Sequence, residues 1–402
     1  MFKKSFDVMA PNNALVNQFL HAVHTQKPVN GLTHNYYRYP ARFSPQFARG
    51  AIEAFSRPGD VVLDPFMGGA TTLVEARAAG RHAIGSDINS LSVFLGRVKT
   101  TVLNDDELDE VIEWTCELPE HLNLHQAPIR DTPWIEAGYQ TNLPWPMRKT
   151  IEFALARIRE LPRKRQHRFV RCMLLKLGQW ALDCREYIPS AAEVRRELFE
   201  CLDLFVSGMK KYRQTLKELG RAQARTLSLQ CSAAALPTRQ GAFKSVLKRP
   251  SLVVTSPPYP GVYVLYHRWK VRGRKESPAP FWVADCLDGQ GQAHYCFGDR
   301  RQKALNAYFG GIRDSYKAIR QVVDHGALVI QIVAFSEPDW QIPRFLESMH
   351  DAGFDEISPA ALGIPVDSRM WRSVPGRRWF ALIQESLATS KELVLFHRAR
   401  PA

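Results

Sequence analysis

Long apolar runs are missing from this 402-residue chain. No stretch approaches the roughly 20 consecutive apolar residues that a bilayer-spanning helix requires. The start, MFKKSFDVMAPNN, has two lysines but no apolar segment behind them, so a secretory leader is not expected. A cytoplasmic protein with no membrane partner is the expectation. Cysteine is sparse and scattered: the seven residues form no C-x-x-C pair, which favours reduced thiols over a disulfide frame. Cys286, His294 and Cys296 match no standard zinc spacing, and no metal is expected. Neither a G-K-[ST] phosphate loop nor a clean G-x-G-x-x-G is present, which argues against nucleoside triphosphate and dinucleotide binding. Acidic residues are outnumbered, 40 against 54 Lys and Arg, for a formal net charge of +14. That excess favours a polyanionic partner, because cations that neutralise phosphates release condensed counterions.

What is present divides the chain into three parts. Residues 1–104 read as the first part of an α/β domain. VVLDPF (61–66) is a β-branched run followed by glycines and then the helical pattern TTLVEARAAG. HAIGSDIN (82–89) reads as the next buried strand, so a right-handed parallel crossover is implied. Residues 105–221 read as a mostly helical insert, with helical spacing over 169–182 and 192–219. Its entrance carries Pro119, Pro128, Pro133, Pro144 and Pro146, which suggest extended, irregular chain. Residues 222–402 return to α/β. Strands are expected over 226–231, 251–256 and 326–335, and helices over 308–323 and 342–353. Residues 377–384 and 391–398 read as an antiparallel pair closing the sheet. The expected fold is a Rossmann-like, mostly parallel sheet with an antiparallel C-terminal hairpin and a helical insert.

Asp64-Pro65-Phe66-Met67-Gly68-Gly69-Ala70-Thr71-Thr72 follows a strand and opens a helix. Glycine lets a backbone approach a ligand closely, and a helix N-terminus offers unpaired N–H groups. Asp87 ends the next strand, where a carboxylate can accept hydrogen bonds from ribose hydroxyls. Thr255-Ser256-Pro257-Pro258-Tyr259 follows the apolar strand SLVV. Taken alone, Pro-Pro-Tyr could be a polyproline segment or a turn. At the carboxyl end of a strand, in a chain with a cofactor loop, it suits chemistry on an exocyclic amine. Such an amine is a poor nucleophile until acceptors on its hydrogens localise the lone pair. Ser256 Oγ and the Pro257 carbonyl are the acceptors available, and the two prolines fix φ and remove donors. Tyr259 can stack on an extruded base. Positioning and oriented dipoles then carry the catalysis.

These segments resemble the S-adenosylmethionine-dependent DNA amino-methyltransferases. Asp64, Pro65, Phe66, Gly68, Thr71 and Thr72 match their motif I, D-P-F-x-G-x-G-T-T, with Ala70 in place of the second glycine after Gly69. Asp87 matches the acidic motif II position. HNYYRYPARFSPQFARGAI (34–52) resembles motif X, with Tyr39, Pro40, Arg42 and Phe43 as contacts to the methionine end. Thr255–Tyr259 resembles motif IV. The resemblance implies a class I methyltransferase sheet, S-adenosylmethionine as cofactor, and Tyr39, Phe43, Asp64, Pro65, Phe66, Gly68, Gly69, Thr71, Asp87 and Thr255 as its contacts. It also implies Ser256, Pro257, Pro258 and Tyr259 as the catalytic loop. Serine before Pro-Pro-Tyr is associated with cytosine N4, aspartate or asparagine with adenine N6. The absence of a Pro-Cys dipeptide argues against a cytosine C5 enzyme. The strand before motif IV ends in Gln230, Cys231 and Ser232, without the acidic residue often found near the adenine ring.

The implied partner is double-stranded DNA, in a restriction–modification or defence setting with a possible partner nuclease. Three basic stretches suit it: 157–171, 259–285 and 368–380. A hairpin with core aromatics is the other reading of the second. The insert is the expected target-recognition region. The rival readings are an adenine N6 enzyme, an RNA guanine N2 enzyme, in which N-P-P-[YF] would be expected, and a catalytically silent DNA-binding module.

Overall fold

The computed structural model describes residues 13–25, 27, 29–40, 44–122, 132–220, 224–244, 248–260, 267–273, 275–288, 302–373 and 391–401. Its centre is an eight-stranded sheet. β1 (Val61–Asp64), β2 (His82–Asp87), β3 (Thr226–Gln230), β4 (Leu252–Thr255), β7 (Leu328–Val333), β8 (Phe354–Glu356) and β10 (Lys391–Ala399) lie in the order β3-β2-β1-β4-β7-β10-β8, with β9 (Met370–Ser373) also paired to β10. The first five in that order run parallel. β10 is antiparallel to β7, β8 and β9. This is the class I methyltransferase sheet expected from the sequence. The strand anticipated over 377–384 lies outside the described residues. β5 (Trp269–Val271) and β6 (Lys275–Ser277) form a separate two-stranded ribbon.

β1 and β4 are buried at every position, so they read as continuous apolar runs, as expected for parallel strands covered on both faces. Alternate residues feed two cores. Val62, Leu252 and Val254 pack with α1 (Asn13–Val23), α2 (Pro45–Phe55) and α3 (Thr71–Ala78). Val61, Leu63 and Val253 pack on the other face with α12 (Gln302–Val322) and α13 (Pro338–Asp351). The chain runs outward from β1 to β2 and β3, then returns to β4 on the other side of β1. The gap between β1 and β4 is therefore the switch point where open α/β sheets bind ligands.

Between β2 and β3 lie α4 (Ser90–Thr100), α5 (Asp105–His121), α6 (Thr132–Glu136), α7 (Trp145–Arg157), α8 (Lys164–Leu182) and α9 (Ala191–Glu218). α10 (Gln240–Phe243) precedes β4, and α11 (Ala279–Ala284) follows the ribbon. Capping boxes start α5 (Asn104 with Glu107) and α9 (Ser190 with Glu193). The prolines read as marks of extended chain act otherwise. Pro119 lies in the last turn of α5, and Pro133 and Pro146 are the second residues of α6 and α7. In a first turn the missing N–H costs nothing and the fixed φ suits a helix.

Candidate active site

Two loops leave the carboxyl ends of β1 and β4 and are tied together at their bases. Thr255 Oγ1 donates to Asp64 Oδ1 at 2.7 Å, and the Phe66 amide donates to the same oxygen at 3.2 Å. Thr72 Oγ1 donates to the Val254 carbonyl at 3.1 Å, which leaves Asp64 Oδ2 buried without a donor. Burial pushes the Asp64 carboxyl up to about 6, against the pull of the Thr255 hydroxyl.

The glycine loop is fixed from beneath. Ser92 Oγ donates to the Gly68 carbonyl at 2.6 Å, and the buried Lys99 Nζ donates to the Gly69 carbonyl at 2.9 Å. The Gly68 amide donates to Asp87 Oδ2 at 3.0 Å, and the Asn89 amide to Asp87 Oδ1 at 2.8 Å. Burial raises the Asp87 carboxyl above its ordinary range, partly offset by those two amides. Gly68 has φ +44°, and a Cβ there would stand 3.2 Å from the Tyr39 ring. Ala70, at the position of the family's second glycine, has φ +61°. The departure therefore adds backbone strain as well as a methyl group, since L-residues disfavour that region by roughly 1–2 kcal/mol.

Tyr39 closes one side. Its ring lies against His267, centroids 5.2 Å apart, and its hydroxyl accepts from Asn89 Nδ2 at 3.3 Å. Pro65 and Thr71 sit in the loop and at the start of α3, and the Pro65 carbonyl accepts from Ser86 Oγ at 3.1 Å. Phe66 is half-buried. Arg42 and Phe43 lie outside the described residues, as do His294 and Cys296. Among the described residues no cluster of His, Cys, Asp and Glu is arranged to hold a metal. No described helix is long and apolar enough to cross a membrane.

In the second loop, Ser256 Oγ has two acceptors for its one hydrogen, Tyr259 Oη and the Ile332 carbonyl, each at 3.2 Å. Either choice leaves Oγ lone pairs to accept from a bound amine. The Pro258 carbonyl is taken by the Tyr308 hydroxyl at 2.9 Å. The Pro257 carbonyl carries no such bond among the described residues. Tyr259 Oη donates to Glu392 Oε1 at 2.7 Å, and Glu392 Oε2 faces Arg372 Nε at 3.4 Å. Lys99, Glu392 and Arg372 were not singled out by sequence. Each is one polar residue in an otherwise unremarked helix or strand.

The second basic stretch proves to be largely structural. Trp269 and Trp282 are 1% exposed and Phe281 is wholly buried, so these aromatics are core. A Cβ on Gly178 would meet the Trp269 ring at 2.3 Å, so α8 packs directly on the ribbon.

A parallel sheet with a glycine loop at its switch point and a second loop of amine-accepting groups beside it defines a class I amino-methyltransferase site. Residues 4–93 match the N6_N4_Mtase family model, DNA methylase. The resemblance to the DNA amino-methyltransferases is thereby shown over the part of the chain that carries motifs X, I and II. The Type II methyltransferase M.MvaI of Kocuria varians is 38% identical over 99 residues, 24% of this chain and 21% of its own length. The Type II methyltransferase M.BsoBI of Geobacillus stearothermophilus is 35% identical over 92 residues, 22% of this chain and 18% of its own. The DNA adenine methyltransferase YhdJ of Escherichia coli (strain K12) is 36% identical over 83 residues, 21% of this chain and 28% of its own. The matched segment thus spans between about a fifth and a quarter of these relatives' own lengths.

The methyl donor of this family is S-adenosylmethionine, and the residues present fit it. Asp64 Oδ2 is a buried acceptor without a donor, suited to an ammonium. The Gly68 backbone has no side chain to fend off a ligand, and Asp87 stands beside it for ribose hydroxyls.

Proposed function

We propose that this chain transfers a methyl group from S-adenosylmethionine to N4 of cytosine in double-stranded DNA. The observation that carries the reading is Ser256 at the carboxyl end of β4, its hydrogen directed to Ile332 or Tyr259 and its lone pairs available. S-adenosylmethionine, when bound, supplies an electrophilic methyl group. Ser256 Oγ and the Pro257 carbonyl accept the two hydrogens of the exocyclic amine and localise its lone pair. Asp64, Gly68, Gly69, Thr71, Asp87 and Tyr39 hold the cofactor, with Pro65, Phe66 and Thr255 shaping the loop bases. Tyr259 presents its ring to the base. Extrusion of the base costs a few kcal/mol, which stacking and the two acceptors offset. The helical part over 105–221 is the target-recognition region in this reading. A partner restriction nuclease fits the Type II names of the relatives.

Adenine N6 is the second reading, favoured by the likeness to YhdJ. The same residues would serve in the same roles. The test is mass spectrometry of nucleosides from DNA incubated with the protein and labelled S-adenosylmethionine, repeated with Ser256→Ala and Tyr259→Ala. N4-methylcytosine from the wild type and none from either variant is expected. N6-methyladenine would transfer the proposal to adenine, and full activity in both variants would overturn the site.

A further inference from the structure

The fold sorts the basic run over 157–171 into two sets. Arg157 pairs with Glu160 at 2.9 Å and lies over the Phe153 ring. Arg163 and Arg165 converge on the buried Glu107 at 3.0 and 2.5 Å. Arg171 donates to the Val283 carbonyl at 2.9 Å. These four tie helices together. Arg159, Lys164 and Arg168 have no side-chain hydrogen bond or ion pair among the described residues. All three line one cavity of 1140 Å³, and Arg97 of α4 joins them there.

The carboxylates of that cavity are already engaged. Glu152 faces Arg148 at 3.5 Å and Lys149 at 3.1 Å, and Asp285 faces Arg171 at 3.8 Å. Arg168 Nε is buried without an acceptor, and burial followed by the charge of Arg97 pushes its guanidinium down from its ordinary range. Unpaired like charges in a partly dry cleft are unfavourable until an anion enters. The cavity reaches Ser90 and Gln230, so it opens beside the ends of β2 and β3. At about 4.8 Å per strand, β3 lies roughly 14 Å from β4 and its catalytic loop. That is about four nucleotides along one strand at roughly 3.4 Å each.

We propose that this cleft grips the DNA backbone about four nucleotides from the extruded base, with Arg97 and Arg168 on either side of a phosphate. The proposal rests on the reading of the chain as a DNA methyltransferase. Its test is binding of a labelled duplex by the full chain across a salt series, wild type against the double variant Arg97→Gln, Arg168→Gln. The salt slope should fall by about 2, roughly one per lost contact, and low-salt affinity by on the order of tenfold or more. Inorganic phosphate should raise the Tm of the wild type and not of the variant. S-adenosylmethionine binding, read separately, shows that the variant is folded. If the wild type binds duplex with a steep salt slope and the variant matches it, the cleft has no such role while the DNA reading stands. A wild type that binds no duplex overturns the DNA reading itself. Phosphate binding with an unchanged duplex slope would make the cleft a small-anion pocket and overturn the backbone assignment.

Discussion

The phenol of Tyr259 donates to Glu392 Oε1 at 2.7 Å, joining the catalytic loop to a strand 133 residues further on. Glu392 is 7% exposed and Arg372 beside it 4%, so the charges that orient Tyr259 are themselves out of water. Glu392→Gln keeps an acceptor for the phenol and removes the charge. Charge-assisted hydrogen bonds exceed neutral ones by roughly 1 kcal/mol, so single-turnover methylation should slow by about tenfold or somewhat less. Glu392→Ala leaves Arg372 buried without its carboxylate and should cost about 3–5 kcal/mol in urea unfolding. Wild-type rates in Glu392→Gln would mean that the tyrosine is oriented by packing alone.

Lys99 supports the cofactor loop from α4. Its ammonium is buried and holds the Gly69 carbonyl at 2.9 Å. Lys99→Met preserves length and apolar packing but drops the donor, at a cost of about 1–3 kcal/mol. The loop is thereby released, and calorimetry should find S-adenosylmethionine affinity lowered by roughly tenfold. Unaltered affinity in a folded variant would show that the loop is held by Ser92 and Asp87 without it.

Acid response follows from three buried groups that oppose one another. Burial lowers His267 and His397 to about 4. The unfolded chain takes up those protons near its ordinary value of 6.5 and the native state does not, so stability drains away as pH falls from about 6.5 to about 4. Asp64, raised to about 6 from 3.8, is protonated first in the native state, so its contribution grows over nearly the same interval. Each amounts to up to about 3 kcal/mol. Asp64→Asn cancels the opposing trend. Urea unfolding between about pH 7 and pH 4 should therefore find the variant more stable near neutrality and falling more steeply on acidification. Parallel curves would mean that Asp64 titrates near its ordinary value in the folded chain.

The parts of this fold that sequence made legible are those in which one segment signals itself. β1 and β4 are apolar runs, each followed by a loop whose residue types have a chemical purpose. Asn104 with Glu107 and Ser190 with Glu193 are caps written in four residues. Pairings across long separations left no such trace. Glu392 in KELVLFHRA alternates like any strand residue, and nothing marks it as the partner of Tyr259. Lys99 looks like a cation ending an ordinary helix, although it is inside the protein. The arginines of 157–171 are equivalent in sequence, and only the position of Glu107 separates Arg163 and Arg165 from Arg168. Trp269 and Trp282 follow the catalytic loop closely enough to suggest nucleic-acid contact, but α8 covers them.

Helix α9 bears directly on the segment that leads to Tyr39. Tyr36 stacks on Phe205 with ring centroids 4.0 Å apart and donates its hydroxyl to the Phe205 carbonyl at 2.8 Å. One turn along, a Cβ on Gly208 would stand 2.5 Å from the Leu32 carbonyl oxygen and 3.0 Å from the Tyr36 ring. Glycine to alanine inside a helix ordinarily gains roughly 1 kcal/mol. At Gly208 the obstructing atom is backbone and cannot rotate away, so Gly208→Ala should instead lose about 1–3 kcal/mol, the usual cost of overpacking. It should weaken S-adenosylmethionine binding as well, because the displaced chain carries Tyr39. Gly310 in α12 is the control, since a Cβ there meets nothing within 4 Å. Gly310→Ala should show the ordinary gain with cofactor affinity unchanged. Opposite signs at the two glycines in thermal unfolding would establish that the helical insert positions the cofactor site, whereas a gain at both would mean that α9 and the Tyr39 segment are free to separate.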